Sequence, residues 1–222
     1  MNRTEKLRRL AEKESLFGPG KKHLKRVISP QLLRDITASE EQTADPQILC
    51  FIQWCLLTLA RGSEAITARW SHIDFDRKIW TIPGGNQIPL SPQAVAVLLR
   101  LQALDLNALF LFPARNNPGE TMCQERATME LRKLSEGKLS IHDFRAVACA
   151  MMKEAKFEEE LIKSVFFPDP CFPPEIRTEI MAWWGRQTGI DDKPQHRPCY
   201  SLTEMLSVEN KTAAEIPGKL AT

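Results

Sequence analysis

Two short strings carry side chains suited to holding an anion. In Thr58-Leu59-Ala60-Arg61-Gly62-Ser63-Glu64, an arginine follows a long apolar run and a glutamate stands three residues on. An arginine at the edge of an apolar helix is costly to bury unless a carboxylate or an anion meets it. The spacing by itself fits an Arg61–Glu64 pair that ties a helix junction together. In Leu139-Ser140-Ile141-His142-Asp143-Phe144-Arg145, Ser140 and Asp143 have the spacing of a capping box. His142 and Arg145 then fall on the first turn of a helix and share one face. A positive helix end, an imidazole and a guanidinium fork converging there suit a phosphate oxygen. His-x-x-Arg alone fits equally well a capped helix whose arginine faces solvent.

The elements that must position these groups are punctuated by proline. Ser29-Pro30, Asp45-Pro46 and Ser91-Pro92 each place a capping side chain before a proline at the first helical position. The spacing predicts a helix over 46–60, apolar nearly all round and therefore central and buried. Further helices are predicted over 92–104 and 141–155, and after Pro173-Pro174, where Ile176, Ile180, Met181, Trp183 and Trp184 recur. Two β-type runs, 78–83 and 87–90, are joined by the turn signal Gly84-Gly85-Asn86. The predicted organisation is a basic arm over 1–28, a mainly helical domain with a small antiparallel sheet over 29–185, and an extended or loosely packed tail over 186–222.

Composition bounds the function classes. Of 222 residues 43% are hydrophobic and 26% charged, which suits a soluble globular domain and excludes disorder throughout. No apolar stretch is long enough to span a bilayer, and the first residues lead into charge, not into the apolar run of a signal peptide. Six cysteines occur without a CxxC pair, so a reduced, cytoplasmic protein with no metal and no cofactor is expected. Thirty basic residues against 28 acidic ones give a net charge of only +2. That near-neutrality hides a net +6 within residues 1–28. The arm fits a solvated segment, and it fits equally a phosphate contact through Lys21, Lys22, Lys25 and Arg26.

Taken in order, five strings resemble the catalytic domain of the tyrosine recombinases, the phage-integrase family. They are Leu59-Ala60-Arg61-Gly62-Ser63-Glu64, Arg69-Trp70-Ser71-His72-Ile73-Asp74, Ile88-Pro89-Leu90-Ser91, Leu111-Phe112-Pro113 and His142-Asp143-Phe144-Arg145. The resemblance runs over about 29–185, and Glu179-Ile180-Met181-Ala182-Trp183-Trp184 is similar to the helix after the nucleophile. It implies a mainly α fold with a small antiparallel β-sheet (α+β), double-stranded DNA as partner, and strand cleavage through a phosphotyrosine. It also implies that Arg61 and Arg145 hold the scissile phosphate, that His142 supports it and that Glu64 is the supporting acid. Those four residues are then expected in one pocket. Arg69 and the basic arm would extend the same DNA-binding face.

The departures from the family pattern are as informative. The hairpin at 82–89 contains no lysine where a general acid is wanted, and Lys78 lies in the preceding strand. The stretch Val165-Phe166-Phe167-Pro168 has no histidine, and Phe172 stands nearest the expected nucleophile. The one tyrosine of the chain is Tyr200. Three readings follow. The first is a recombinase-fold protein that binds DNA without cleaving it, a regulator or pseudoenzyme. The second is an active recombinase that uses Tyr200 from a mobile tail. The third is an interaction module that kept only the fold. About 28 residues precede the Ser29-Pro30 signal, so the family's amino-terminal clamp domain is not expected here. A second copy or a full-length recombinase would then complete the grip on DNA, in a bacterial or phage-derived, nucleoid-associated setting.

Overall fold

Helix α1 (Pro46–Thr58) is the axis of the computed structural model, which describes Arg34 and residues 45–106, 109–167 and 174–192. Its start is dictated locally: the Asp45 carboxylate accepts from the Gln47 N–H at 3.2 Å, and Pro46 occupies the first position. Every residue from Gln47 to Thr58 is buried. Each large apolar side chain removed from water there contributes about 1.5–3 kcal/mol. The apolar run therefore becomes a helix surrounded on all sides.

What surrounds α1 follows in chain order. The short α2 (Gly62–Ile66) and a 3-10 turn at Trp70–His72 lead to a three-stranded antiparallel sheet. Its strands are β1 (Ile73–Asp74), β2 (Ile79–Thr81) and β3 (Gln87–Pro89), with Trp80 opposite both Ile73 and Ile88. Gly84 and Gly85 take φ of 108° and 91°, a backbone that favours glycine, so the expected turn forms where the sequence places it. Helix α3 (Pro92–Ala103) follows, with the Ser91 hydroxyl accepting from the Ala94 N–H at 3.3 Å. Next come the two-stranded β4 (Pro113–Ala114) and β5 (Asn117–Thr121), then α4 (Gln124–Leu134), α5 (Asp143–Glu154), α6 (Glu159–Phe166) and α7 (Pro174–Thr188). The architecture is mainly α with small antiparallel sheets.

Helices α3, α4 and α7 pack directly on α1. Phe51 meets Phe112 edge-on with ring centroids 5.0 Å apart, and Trp54 meets Trp80 of the sheet at the same separation. The Trp184 indole N–H of α7 donates to the Leu56 carbonyl at 2.7 Å, and the Gln47 side-chain N–H donates to the Pro113 carbonyl at 2.8 Å. Buried polar groups thus peg the apolar helix to its neighbours at both ends.

Several expectations are corrected. Helix α5 begins at Asp143 rather than at 141, and the Ser140–Asp143 pair is not a reciprocal capping box. The Asp143 carboxylate accepts from both the N–H and the hydroxyl of Ser140, at 2.8 and 2.7 Å. The last helix does not break at Gly185; it runs to Thr188, and the turn-permitting glycine is Gly189, at φ 72°. Thr188 and Ile190 are buried, so the packed body extends past the expected start of the tail at 186. Helices α4 and α6 and the β4–β5 pair carry no proline start signal and were not foreseen. Of the expected Ser29-Pro30 helix only Arg34, which is helical, is described, and the basic arm and the tail beyond 192 lie outside the described residues.

Gly185 is a contact residue. A methyl on its Cα would stand 2.8 Å from Ser91 Oγ and 2.9 Å from Ser91 Cβ, with Gln93 Oε1 closer still. Both neighbours are buried at the start of α3. Gly185→Ala should therefore lower stability by about 1–3 kcal/mol, read as a lower urea midpoint with an unchanged slope.

Candidate functional site

Helix α1 ends in a strained residue. Leu59 takes φ 54° and ψ 19°, a left-handed conformation that a branched side chain adopts at some cost, and its N–H returns to the Cys55 carbonyl. The turn redirects the Leu59 carbonyl away from the helix axis and leads the chain into Arg61, the N-cap of α2. Glu64 then closes the junction. Its carboxylate accepts from the Arg61 backbone N–H and from Arg61 Nη1, each at 2.9 Å. The pair foreseen from the three-residue spacing is present. Arg61 nevertheless stays 59% exposed and Glu64 25% exposed, so the guanidinium remains open to solvent beside its carboxylate.

Arg145 reaches the same junction from the first turn of α5. Its Nη1 donates to the redirected Leu59 carbonyl, and its Nη2 donates to the Phe166 carbonyl at 2.8 Å. The guanidinium also lies over the Phe166 ring, 5.2 Å from its centroid. Leu59 caps the carboxyl end of α1, and Phe166 is the last residue of α6. Both carbonyls are among those a helix end leaves unpaired, and both carry the negative end of a helix dipole. One guanidinium therefore satisfies two helix termini.

The two arginines, 84 positions apart in sequence, are brought together. Burial and then the nearby Arg61 charge hold the Arg145 group below the ordinary arginine range, with Glu64 acting in the opposite direction. Two guanidiniums and one carboxylate leave the junction net positive. Of five N–H groups on each guanidinium, Arg145 commits two and Arg61 one to the bonds above. The remainder can serve an anion.

His142 and Arg69 are also among the described residues. His142 stands at the N-cap of α5 with helical φ and ψ of −66° and −30° and is exposed. Among the described residues no hydrogen bond or ion pair joins it to either arginine. Arg69 lies past the far end of α2, exposed, with its guanidinium 5.0 Å from the Phe110 ring centroid. Burial first, and the Arg69 charge second, lower the pKa of His72 beside it. Lys21, Lys22, Lys25, Arg26, Phe172 and Tyr200 lie outside the described residues. Lys78 takes φ 54° in the turn before β2 and is exposed.

Sequence reasoning missed Arg177. It is only 3% exposed on α7, where its Nη1 donates to the Ser164 carbonyl at 3.4 Å and its Nη2 to the Gln87 carbonyl of β3. Burial lowers its pKa, opposed by Glu175. No local spacing distinguishes this arginine from a solvent-facing one. Only the docking of hairpin and α6 against α7 gives it its partners.

The chain is similar to known proteins in sequence and in fold. A model of the phage integrase family matches residues 26–166. The prophage integrase IntA of Escherichia coli K12 is 28% identical over 154 residues, covering 66% of this chain and 37% of that protein. The integrase of Enterobacteria phage P4 is 26% identical over 126 residues, covering 47% of this chain and 29% of that protein. The integrase from mycobacterium phage Brujita shares the fold with a TM-score of 0.54 at 13% identity, over 82% of this chain and 62% of that one. This chain thus matches less than two fifths of the length of these curated relatives.

The unequal burial of the two arginines has a measurable consequence. Arg145→Ala leaves two helix-end carbonyls unpaired and should cost about 2–4 kcal/mol of stability. Arg61→Ala removes an exposed pair and should cost less than about 1 kcal/mol. Urea denaturation of the two variants side by side checks the difference.

Proposed function

This chain belongs to the phage integrase family, and on that footing we propose that it is a duplex-DNA-binding domain that grips a backbone phosphate without forming a covalent bond to it. The observation that carries the reading is the meeting of Arg61 and Arg145 at the α1–α2 junction, with one carboxylate for two guanidiniums and several N–H donors uncommitted. A phosphate diester is a single negative charge with two non-bridging oxygens, and forked guanidiniums match it. Arg61, Arg145 and His142 hold that phosphate in this reading, and Glu64 orients Arg61. Arg69 and the arm residues Lys21, Lys22, Lys25 and Arg26 extend the contact along the backbone. The packed helical domain and the basic arm together form the face that meets the duplex.

Absence of cleavage is supported by what the chain offers for proton traffic and attack. A leaving 5′-oxygen needs a proton, and the β2–β3 turn offers Asn86 and Gln87. The attacking group of the family's chemistry is a phenol, and Phe172 lacks the oxygen. Tyr200 is the sole phenol of the sequence, and a phenol, protonated near neutral pH, needs a base and an ordered path to phosphorus.

Two expected outcomes test this reading. In gel shifts on duplex DNA, affinity should fall steeply with salt, since each neutralised phosphate releases about 0.9 counterion. A nicked suicide substrate should give no denaturation-resistant adduct. An adduct that disappears in Tyr200→Phe would restore the recombinase, and a flat salt response would favour a protein-interaction module.

A further inference from the structure

The first turn of α2 is covered by a side chain from α4. Gly62 follows Arg61 directly, and a methyl on its Cα would stand 2.6 Å from Gln124 Nε2, 3.0 Å from Cδ and 3.1 Å from Oε1. The whole carboxamide of Gln124 therefore lies against Gly62, in space that only a residue without a Cβ leaves open. Gln124 is the first residue of α4, which packs on α2. The side chain is half-buried, yet its carboxamide has no hydrogen-bond partner among the described residues, and its polar atoms are not sealed from solvent. A group with two donors and an acceptor is thus held in place one residue from Arg61 with its hydrogen-bonding capacity unspent.

We propose that the Gln124 carboxamide is a DNA-contacting group that donates from Nε2 to the sugar–phosphate backbone at the phosphate held by Arg61 and Arg145. The inference rests on the DNA-binding reading above. The chemistry fits a positioning role. A neutral donor beside two guanidiniums adds direction without adding charge, and such backbone contacts set the register of a protein on the duplex. Gly62 keeps the carboxamide at the junction, so the Arg-Gly step acts as a seat for Gln124 as well as a helix start.

Fluorescence anisotropy with the full chain and a labelled duplex of mixed sequence, titrated across salt, tests the assignment. Gln124→Ala should weaken binding about five-fold, the scale of one neutral hydrogen bond. Its salt dependence should match that of the wild type, whereas Arg61→Ala should lose about one phosphate's worth of slope. Gln124→Glu should bind more weakly than Gln124→Ala, because a carboxylate repels the backbone. Gly62→Ala should reproduce the Gln124→Ala loss by displacing the carboxamide, and the double variant should lose no more than either single one. Thermal midpoints measured alongside report the fold. Gln124→Ala and Gln124→Glu binding as tightly as the wild type would overturn the proposal and reduce the contact to packing. A lowered midpoint with unchanged affinity would overturn it in the same way. Failure of the wild type itself to bind at low salt would overturn the DNA-binding reading first, and this inference with it.

Discussion

The structure turns on one guanidinium bridging the carboxyl ends of two helices. Arg145 joins the Leu59 carbonyl at the end of α1 to the Phe166 carbonyl at the end of α6. Helix ends leave carbonyls that must find donors, and the dipoles concentrate negative potential there. A half-buried cation is tolerable in such a place because the partners are fixed and already oriented. The same placement brings α5, which carries Arg145, onto the α1–α2 junction. Structural satisfaction and site assembly are thus one event: the bonds that pair the helix ends also set the arginine beside Arg61.

Around that bridge, the strain at Leu59 is sustained by burial. A left-handed leucine is unfavourable in isolation, yet Leu59 is almost fully buried and follows a helix every turn of which is packed. Apolar burial along α1 overrides the local preference, and the resulting kink points a carbonyl at Arg145 and a guanidinium at solvent. Arg177 plays a parallel role on the other elements. It spans the Gln87 carbonyl of β3 and the Ser164 carbonyl of α6, so the last turn of α6 is held by two arginines from two different helices. A helix of eight residues is short to stand alone, and these tethers supplement its apolar face.

The electrostatics follow from the same geometry. Glu64 is committed to Arg61 through both its carboxylate oxygens, which fixes the arginine's direction without neutralising the pair of guanidiniums. With Arg145 fixed by backbone carbonyls, which are dipoles and not charges, the junction keeps a positive excess. That is the requirement for affinity toward a singly charged diester. Orientation comes from local hydrogen bonds, while the charge balance comes from which elements meet.

Much was legible in the residues themselves, where the physics is local. Asp45-Pro46 and Ser91-Pro92 announce α1 and α3, because a capping side chain and a fixed φ act within one turn. Gly84-Gly85 announces the hairpin for the same reason, and the apolar run of α1 announces its burial. The Arg61–Glu64 pair needs only a three-residue spacing. Helices α4 and α6 lack such starts, and Gly185 reads as a stop although α7 continues to Thr188. Its role is steric: it leaves room for Ser91 and Gln93 across the packing of α7 on α3. Arg145 stands in a legible His-x-x-Arg string, whereas nothing local marks Arg177. Tertiary docking alone decides that each meets the carbonyls of elements distant along the chain, since a buried cation is defined by what surrounds it and not by what precedes it.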